Sequence, residues 1–177
     1  DFSNDHVKNS INIGLNGRYA ISAANLIDIK SKILIISYQG FEKESIMRLF
    51  RVGFENIVGY LKGGLDAWKK SNNSLERIKQ ISSNEIFDFN NYKVIDVRTI
   101  NEYNSGHVIN SYNYPLFDIE NKIKDLDKKS KYIFYCQTGY RSIIAISLLK
   151  KHGFNNTIDV SDGFEGVVKN KSVEIIN

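Results

Sequence analysis

Cys136 opens the segment Cys136-Gln137-Thr138-Gly139-Tyr140-Arg141 and is the only cysteine of the 177-residue chain. The thiolate, not the thiol, is the reactive form of cysteine, and a positive field favours it. The residues on either side supply such a field. Lys131-Tyr132-Ile133-Phe134-Tyr135 reads as a buried strand. Ser142–His152 reads as a helix with an apolar face of Ile143, Ile144, Ile146, Leu148 and Leu149. The unpaired N–H groups and the positive dipole end of that helix point back at the loop. Gly139 lets the loop curl, so that the N–H groups of residues 137–141 (Gln137, Thr138, Gly139, Tyr140 and Arg141) form an anion nest. Arg141 adds a permanent cation at the rim, suited to forked binding of an oxyanion. A nucleophile and an oxyanion cradle therefore share one loop. The plain alternative is a buried cysteine before an ordinary strand–helix turn, with Arg141 on the surface.

The elements around this loop follow a regular pattern. Ser82-x-x-Glu85 and Thr99-x-x-Glu102 are capping boxes, the first opening a short helix over Ser83–Phe89. Tyr92–Val97 is a β-branched strand, and a second strand near Ser111–Tyr114 ends at Pro115, the only proline. Phe117–Leu126 has the spacing of an amphipathic helix, and Thr157–Val160 is a last strand. Gly153 is placed to terminate the helix after the cysteine loop. Strands alternating with helices predict an α/β fold with a largely parallel sheet. Ligands of such sheets bind at the carboxyl ends of strands, where Cys136 falls.

Self-comparison shows that the chain repeats. His6-Val7-Lys8-Asn9-Ser10-Ile11-Asn12 recurs as His107-Val108-Ile109-Asn110-Ser111-Tyr112-Asn113. The preceding acid–aromatic pairs, Asp1-Phe2 and Glu102-Tyr103, also match. Leu49, Gly53-Phe54, Asn56 and Gly63 then match Leu149, Gly153-Phe154, Asn156 and Gly163. Two copies of one fold are expected, residues 1–75 with a linker and residues 76–177. The first copy has no counterpart of residues 81–101, so it is expected to lack its opening helix and strand. The chain begins without Met, which suggests a fragment or a processed product.

Net charge is +4. The basic residues do not cluster: the first copy has 10 Lys and Arg against 7 Asp and Glu, the second 14 against 13. That argues against a nucleic-acid partner. No apolar run approaches the roughly 18 residues that span a bilayer, so no membrane partner is expected. One cysteine excludes an internal disulfide and a multi-thiolate zinc site. With no leader pattern, a reduced cysteine points to a cytoplasmic location.

The second copy resembles the rhodanese homology domain. Val94-Ile95-Asp96-Val97-Arg98, Glu102-Tyr103 and Gly106-His107-Val108 look like the first signature of that family, and Tyr135 through Ser142 like its active-site loop. Gly153-Phe154 and Asp162-Gly163-Phe164 look like its later signature, without the usual Gly-Gly and tryptophan. The first copy keeps that ending as Gly63-Gly64-Leu65-Asp66-Ala67-Trp68. The resemblance implies two parallel-sheet domains flanked by helices and a two-step sulfur transfer. Cys136 takes the outer sulfur of thiosulfate or of a low-molecular-weight persulfide, then passes it from its persulfide to a thiol or cyanide. Backbone N–H groups of residues 137–141 would stabilise the persulfide and Arg141 would hold the sulfonate of the donor. Asp96 and Arg98 would support the loop, and His107 would shape the fold. No metal and no organic cofactor is implied.

In the first copy, alignment backward from Gly53 puts Ile36 at the cysteine position and Phe41 at the arginine position. A shift of one residue brings Ser37 to the nucleophile position. Either way the copy reads as an inactive, structural or docking domain. An inactive copy before an active one also resembles the tail of persulfide dioxygenase fusions, which implies an upstream metallo-β-lactamase-fold domain. Two other readings compete with sulfur transfer. A cysteine-dependent phosphatase or arsenate reductase places five residues between Cys and Arg, where this loop has four. A non-catalytic interaction module would leave Cys136 inert.

Overall fold

In the computed structural model, which describes residues 2–89 and 91–176, the chain forms two units. One comprises His6–Lys8 and Ile13–Glu76. The other runs from Arg77 onward and includes Asn9–Asn12 and residues up to Asp5. Asp1, half of the first acid–aromatic pair, lies outside the described residues.

The first unit contains α1 (Tyr19–Leu26), β1 (Ile33–Ile35), α2 (Glu42–Phe50), β2 (Ile57–Tyr60) and α3 (Gly64–Lys70). β1 and β2 pair in parallel, and Tyr19, Ala23, Ile35, Leu49 and Phe54 form its core. The opposite face is bare: Leu34, Val58 and Tyr60 are exposed. The sheet of this unit has two strands among the described residues.

The second unit contains β3 (Lys79–Ile81), a 3-10 helix over Ser83–Phe89, β4 (Lys93–Asp96), α4 (Ile100–Asn104), β5 (His107–Val108) and β6 (Tyr112–Asn113). Then come α5 (Ile119–Lys122), β7 (Tyr132–Tyr135), α6 (Tyr140–Lys151), β8 (Thr157–Val160), α7 (Gly163–Val167) and β9 (Ile175–Ile176). β3-β8-β7-β4-β6 form one parallel sheet. All four residues of β7 and all four of β8 are buried, and β7 reads accordingly as a continuous apolar run. Ile81, Ile86, Ile133, Tyr135, Ile158 and Val160 belong to one core cluster. Each side chain of this kind contributes about 1.5–3 kcal/mol by leaving water.

Several local expectations hold. Thr99 and Glu102 form a reciprocal capping box at α4. Glu85 reaches back to the Ser82 N–H at 2.8 Å, but the helix that follows is 3-10 rather than α. The helix expected over Phe117–Leu126 is broken into a 3-10 turn, α5 and another 3-10 turn. α6 ends in a Schellman turn: Gly153 has φ +88, its N–H donates to Lys150 O, and the Phe154 N–H donates to Leu149 O. The first unit repeats this turn at Gly53, with Phe54 N donating to Leu49 O.

The correspondence of the two copies shifts by one residue along the chain. The Ile33 N–H bonds to Asn56 O as the Tyr132 N–H bonds to Asn156 O, so β1 matches β7 at an offset of 99. The Schellman turns match at 100. α2 is thus one residue short between these points. β2 restores the offset with a bulge, since Ile33 pairs with Ile57 but Leu34 with Gly59. The backward alignment from Gly53 is therefore corrected: Ser37, not Ile36, occupies the position of Cys136, and Glu42, not Phe41, that of Arg141.

Candidate active site

Cys136 directly follows β7 and is 1% exposed. Residues 137–139 form the bend, and Gly139 (φ +83) is the residue before α6. The helix begins at Tyr140, two residues earlier than the sequence pattern predicts, so Arg141 and Ser142 lie in its first turn. A side chain at position 139 would bring its Cβ to 2.5 Å from Ser161 O. Glycine is required there by both φ and space.

The opposite wall of the loop is α7. The Phe164 N–H donates to Cys136 O at 2.7 Å, and the Glu165 N–H to Gln137 O at 3.2 Å. Those carbonyls therefore point at α7. In a trans peptide the N–H opposes the C=O, so the N–H groups of Gln137 and Thr138 point away from α7. Gly163 (φ +58) makes this approach possible, since a Cβ there would lie 2.6 Å from both Cys136 O and Gln137 O. The equivalent Gly64 (φ +56) would meet Ser37 O at 2.5 Å in the first unit.

Two side chains dominate the chemistry around the sulfur. The Ser142 hydroxyl, fully buried, points at Cys136 Sγ across 3.6 Å. Arg141 makes a bidentate pair with Glu102, through Nη1 to Oε2 at 2.7 Å and Nη2 to Oε1 at 2.6 Å. Those bonds hold the Glu102 carboxyl at about 2, well below the ordinary value of 4.5. Glu102, with weaker help from the charges of Cys136 and Asp96, raises Arg141 above its usual value. The rim cation is thus already held by a carboxylate.

Asp96 and Arg98 form a buried ion pair at 2.7 Å, and Arg98 also donates to Gly106 O. The Arg98 guanidinium lies 3.8 Å over the Phe164 ring. The pair thereby ties β4 to the turn before β5 and to the helix that backs the loop. His107 stacks on Tyr103 at 3.7 Å and its Nδ1 contacts Tyr103 O. The structure thus brings Cys136, Gly139 and Arg141 together, with Gln137 and Thr138 on the bend, while the ring of His107 packs on Tyr103 of α4.

Sequence reasoning missed Glu102 as a partner of Arg141, because the capping box already explained that residue. It also missed Ser142 and Asp159. Asp159 is fully buried on β8, accepts from Gln80 Nε2 at 2.8 Å, and is pushed up to about 6, chiefly by burial. The unusual carboxylate inside the apolar run Thr157-Ile158-Asp159-Val160 was the available signal.

The second unit is thus a parallel α/β domain with its cysteine on the loop between a buried strand and a helix. The rhodanese-like domain family profile matches residues 1–71 and again residues 82–170. The chain belongs to the rhodanese-like domain family. The putative sulfur carrier protein YrkF of Bacillus subtilis (strain 168) is 33% identical over 91 residues, covering 51% of this chain and 46% of that protein. The chain therefore spans less than half the length of YrkF. The putative sulfurtransferase YtwF of the same organism is 34% identical over 82 residues, 45% of this chain and 79% of that one. The crystal structure of thiosulfate sulfurtransferase from Pseudomonas aeruginosa aligns with 99% of this chain and 38% of its own. Its TM-score is 0.50 at 17% identity, a likeness of fold. Among the described residues, no helix is long and apolar enough to cross a membrane.

Proposed function

We propose that residues 76–177 form a sulfurtransferase that moves sulfane sulfur through a Cys136 persulfide, and that residues 1–75 form an inactive copy. In the first step the Cys136 thiolate attacks the outer sulfur of thiosulfate, the S–S bond breaks, and sulfite leaves with the bonding electron pair. A low-molecular-weight persulfide would give up its terminal sulfur in the same way. In the second step cyanide or a thiolate attacks the outer sulfur of Cys136–S–S⁻, and the Cys136 thiolate is released.

The observation that carries this reading is the backbone of the loop. α7 takes up the carbonyls of Cys136 and Gln137, which leaves the opposed N–H groups to meet an anionic persulfide. Arg141 supplies the cation for the sulfonate of a donor, exchanging Glu102 for it. Asp96 and Arg98 support the loop from β4.

Intact-mass measurement after incubation with thiosulfate tests the reading, with thiocyanate release on adding cyanide. The wild type should gain one sulfur and turn over. Cys136→Ala should do neither, a loss of at least about 10³-fold. A wild type that takes no sulfur from thiosulfate or from a small persulfide, while its Cys136 still alkylates, would overturn the proposal and favour a phosphatase or docking role.

A further inference from the structure

Cys136 is sealed from water at 1% exposure, so its proton has no solvent base beside it. Its polar neighbour is Ser142, a hydroxyl that carries a proton but cannot keep a second one. Behind Ser142 stands Asp159, whose side chain is the only carboxyl on β8. Asp159 is half satisfied. Oδ2 accepts from Gln80 Nε2 at 2.8 Å, and Oδ1 has no hydrogen-bond partner of good geometry among the described residues. A buried acceptor left in this state is destabilising, and natural proteins retain few of them. The Ser142 hydroxyl lies close enough to Asp159 to favour its charged form. Its single proton can serve either the sulfur or the carboxylate.

Gln80 is itself fixed. Its Oε1 accepts from Ser3 Oγ at 2.7 Å, which requires its amide N–H to face Asp159. The other charged groups around this row are Asp162 beyond β8, the Arg141–Glu102 pair at the loop, and the Asp96–Arg98 pair at the end of β4. Asp162 acts on Asp159 by like-charge repulsion, in the same direction as burial. A carboxyl held at about 6 can take a proton near neutral pH.

We propose that Cys136, Ser142 and Asp159 share one proton as a relay, with Asp159 receiving the thiol proton through the Ser142 hydroxyl. The Sγ–H bond breaks as the proton passes to Ser142 Oγ, and the Ser142 proton passes to Asp159 Oδ1. The net charge of the row is unchanged, and the thiolate forms without opening the loop to water. The proton returns along the same path when the resting thiol is restored. Asp159 acts through Ser142 and never touches the substrate. The inference rests on the sulfurtransferase reading for what the thiolate then attacks, but not for the relay.

The test compares wild type with Asp159→Asn, Ser142→Ala, Ser142→Thr and the double Ser142→Ala/Asp159→Asn variant, each checked for folding by circular dichroism. Two rates are followed from pH 5 to pH 10: Cys136 alkylation by iodoacetamide, and sulfur uptake from thiosulfate. A shared proton comes off in two macroscopic steps. The wild-type alkylation profile should therefore rise in two steps, the lower near pH 6. Asp159→Asn and Ser142→Ala should each lose the lower step and slow alkylation at pH 7 by about 10–100-fold. The double variant should be no slower than the slower single variant, and Ser142→Thr should retain the lower step. A single step in wild type, persistence of the lower step in Asp159→Asn, or multiplication of the two single effects would overturn the relay. The two readouts separate the claims. Two-step alkylation without sulfur uptake keeps the relay and sinks the sulfurtransferase reading. Sulfur uptake with a one-step profile does the reverse.

Discussion

The loops after β1 and β7 turn on equivalent glycines, Gly40 and Gly139, and each lies against a second glycine of similar φ, Gly64 or Gly163. Their side chains are opposite in character. Where the second unit has Cys136 and Arg141, the first has Ser37 and Glu42. The Glu42 carboxylate accepts from the Gly40 N–H at 2.8 Å, so a loop that could receive an anion is filled by one of its own. In the second unit the acid comes from outside the loop, as Glu102, and pairs with the arginine instead. Ser37 Oγ is buried without a hydrogen-bond partner among the described residues. The difference separates what holds the turn from what reacts in it. The backbone geometry needs the glycines, while the chemistry needs a sulfur, a cation and a place for a proton.

The widest gap that the proposed function predicts between the copies is in reactivity. In a Cys136→Ala background, Ser37→Cys should remain free of added sulfur after thiosulfate treatment, at least about 10³-fold below the wild-type rate. Intact mass reads this directly, and sulfur on the introduced thiol would break the comparison. The shared glycines come next. Gly163→Ala and Gly64→Ala each force a positive φ on a side chain and push it into a carbonyl. Each should destabilise its own unit by about 1–3 kcal/mol, read as a lowered denaturation midpoint. Only Gly163→Ala should also slow sulfur uptake.

Asp159 sharpens the contrast through stability. Its carboxyl is raised from 3.8 to about 6 in the folded state, so burying its charge costs stability above that range. The penalty fades as pH falls through 6 and is absent below about 3.8, where the group is neutral folded and unfolded. Asp159→Asn should therefore be more stable than wild type at pH 7.5 by roughly 1–3 kcal/mol, with the advantage gone near pH 4. Urea melts at the two pH values check this. A variant that is more stable and slower to react is the signature of a residue kept for function.

The smallest effect concerns Glu102. Its depressed carboxyl contributes stability that is present above 4.5 and lost as pH falls through about 2. The pair is partly exposed, so solvent screening limits the contribution to about 1 kcal/mol or less. Glu102→Gln should flatten the acid end of the stability curve by that amount. It should also release Arg141, which lowers KM for thiosulfate in steady-state kinetics. An unchanged KM would show that the arginine does not meet the donor.

Much of this is legible in residue order. The apolar pattern locates β7 to within one residue, because a run of four or five such residues bounded by polar ones has few other solutions, and the strand expected over Thr157–Val160 is β8. The repeat and the loop chemistry are also visible, since Cys136, Gly139 and Arg141 are distinctive types at close spacing. The one-residue shift between the copies is not. The bulge at Gly59 and the shortened α2 compensate for each other, and sequence identity at Gly53 and Gly63 hides both. Glu102 and Asp159 escape notice for a related reason. Their partners lie 39 residues away, at Arg141, and on neighbouring strands and helices. Only the sheet order makes them neighbours.

The division of the chain is interleaved rather than sequential. Ser3 and Asn12 bond to Gln80 and Ser147 within the second unit, whereas His6 pairs with Glu76 in the first. A protease nick between Asn72 and Ser74 would therefore leave each unit with residues from both peptides. The shorter peptide would still supply the hydroxyl that orients Gln80, and the longer would still supply Glu76. Any attempt to express residues 76–177 alone would discard a strut of the second unit along with the copy it was meant to remove.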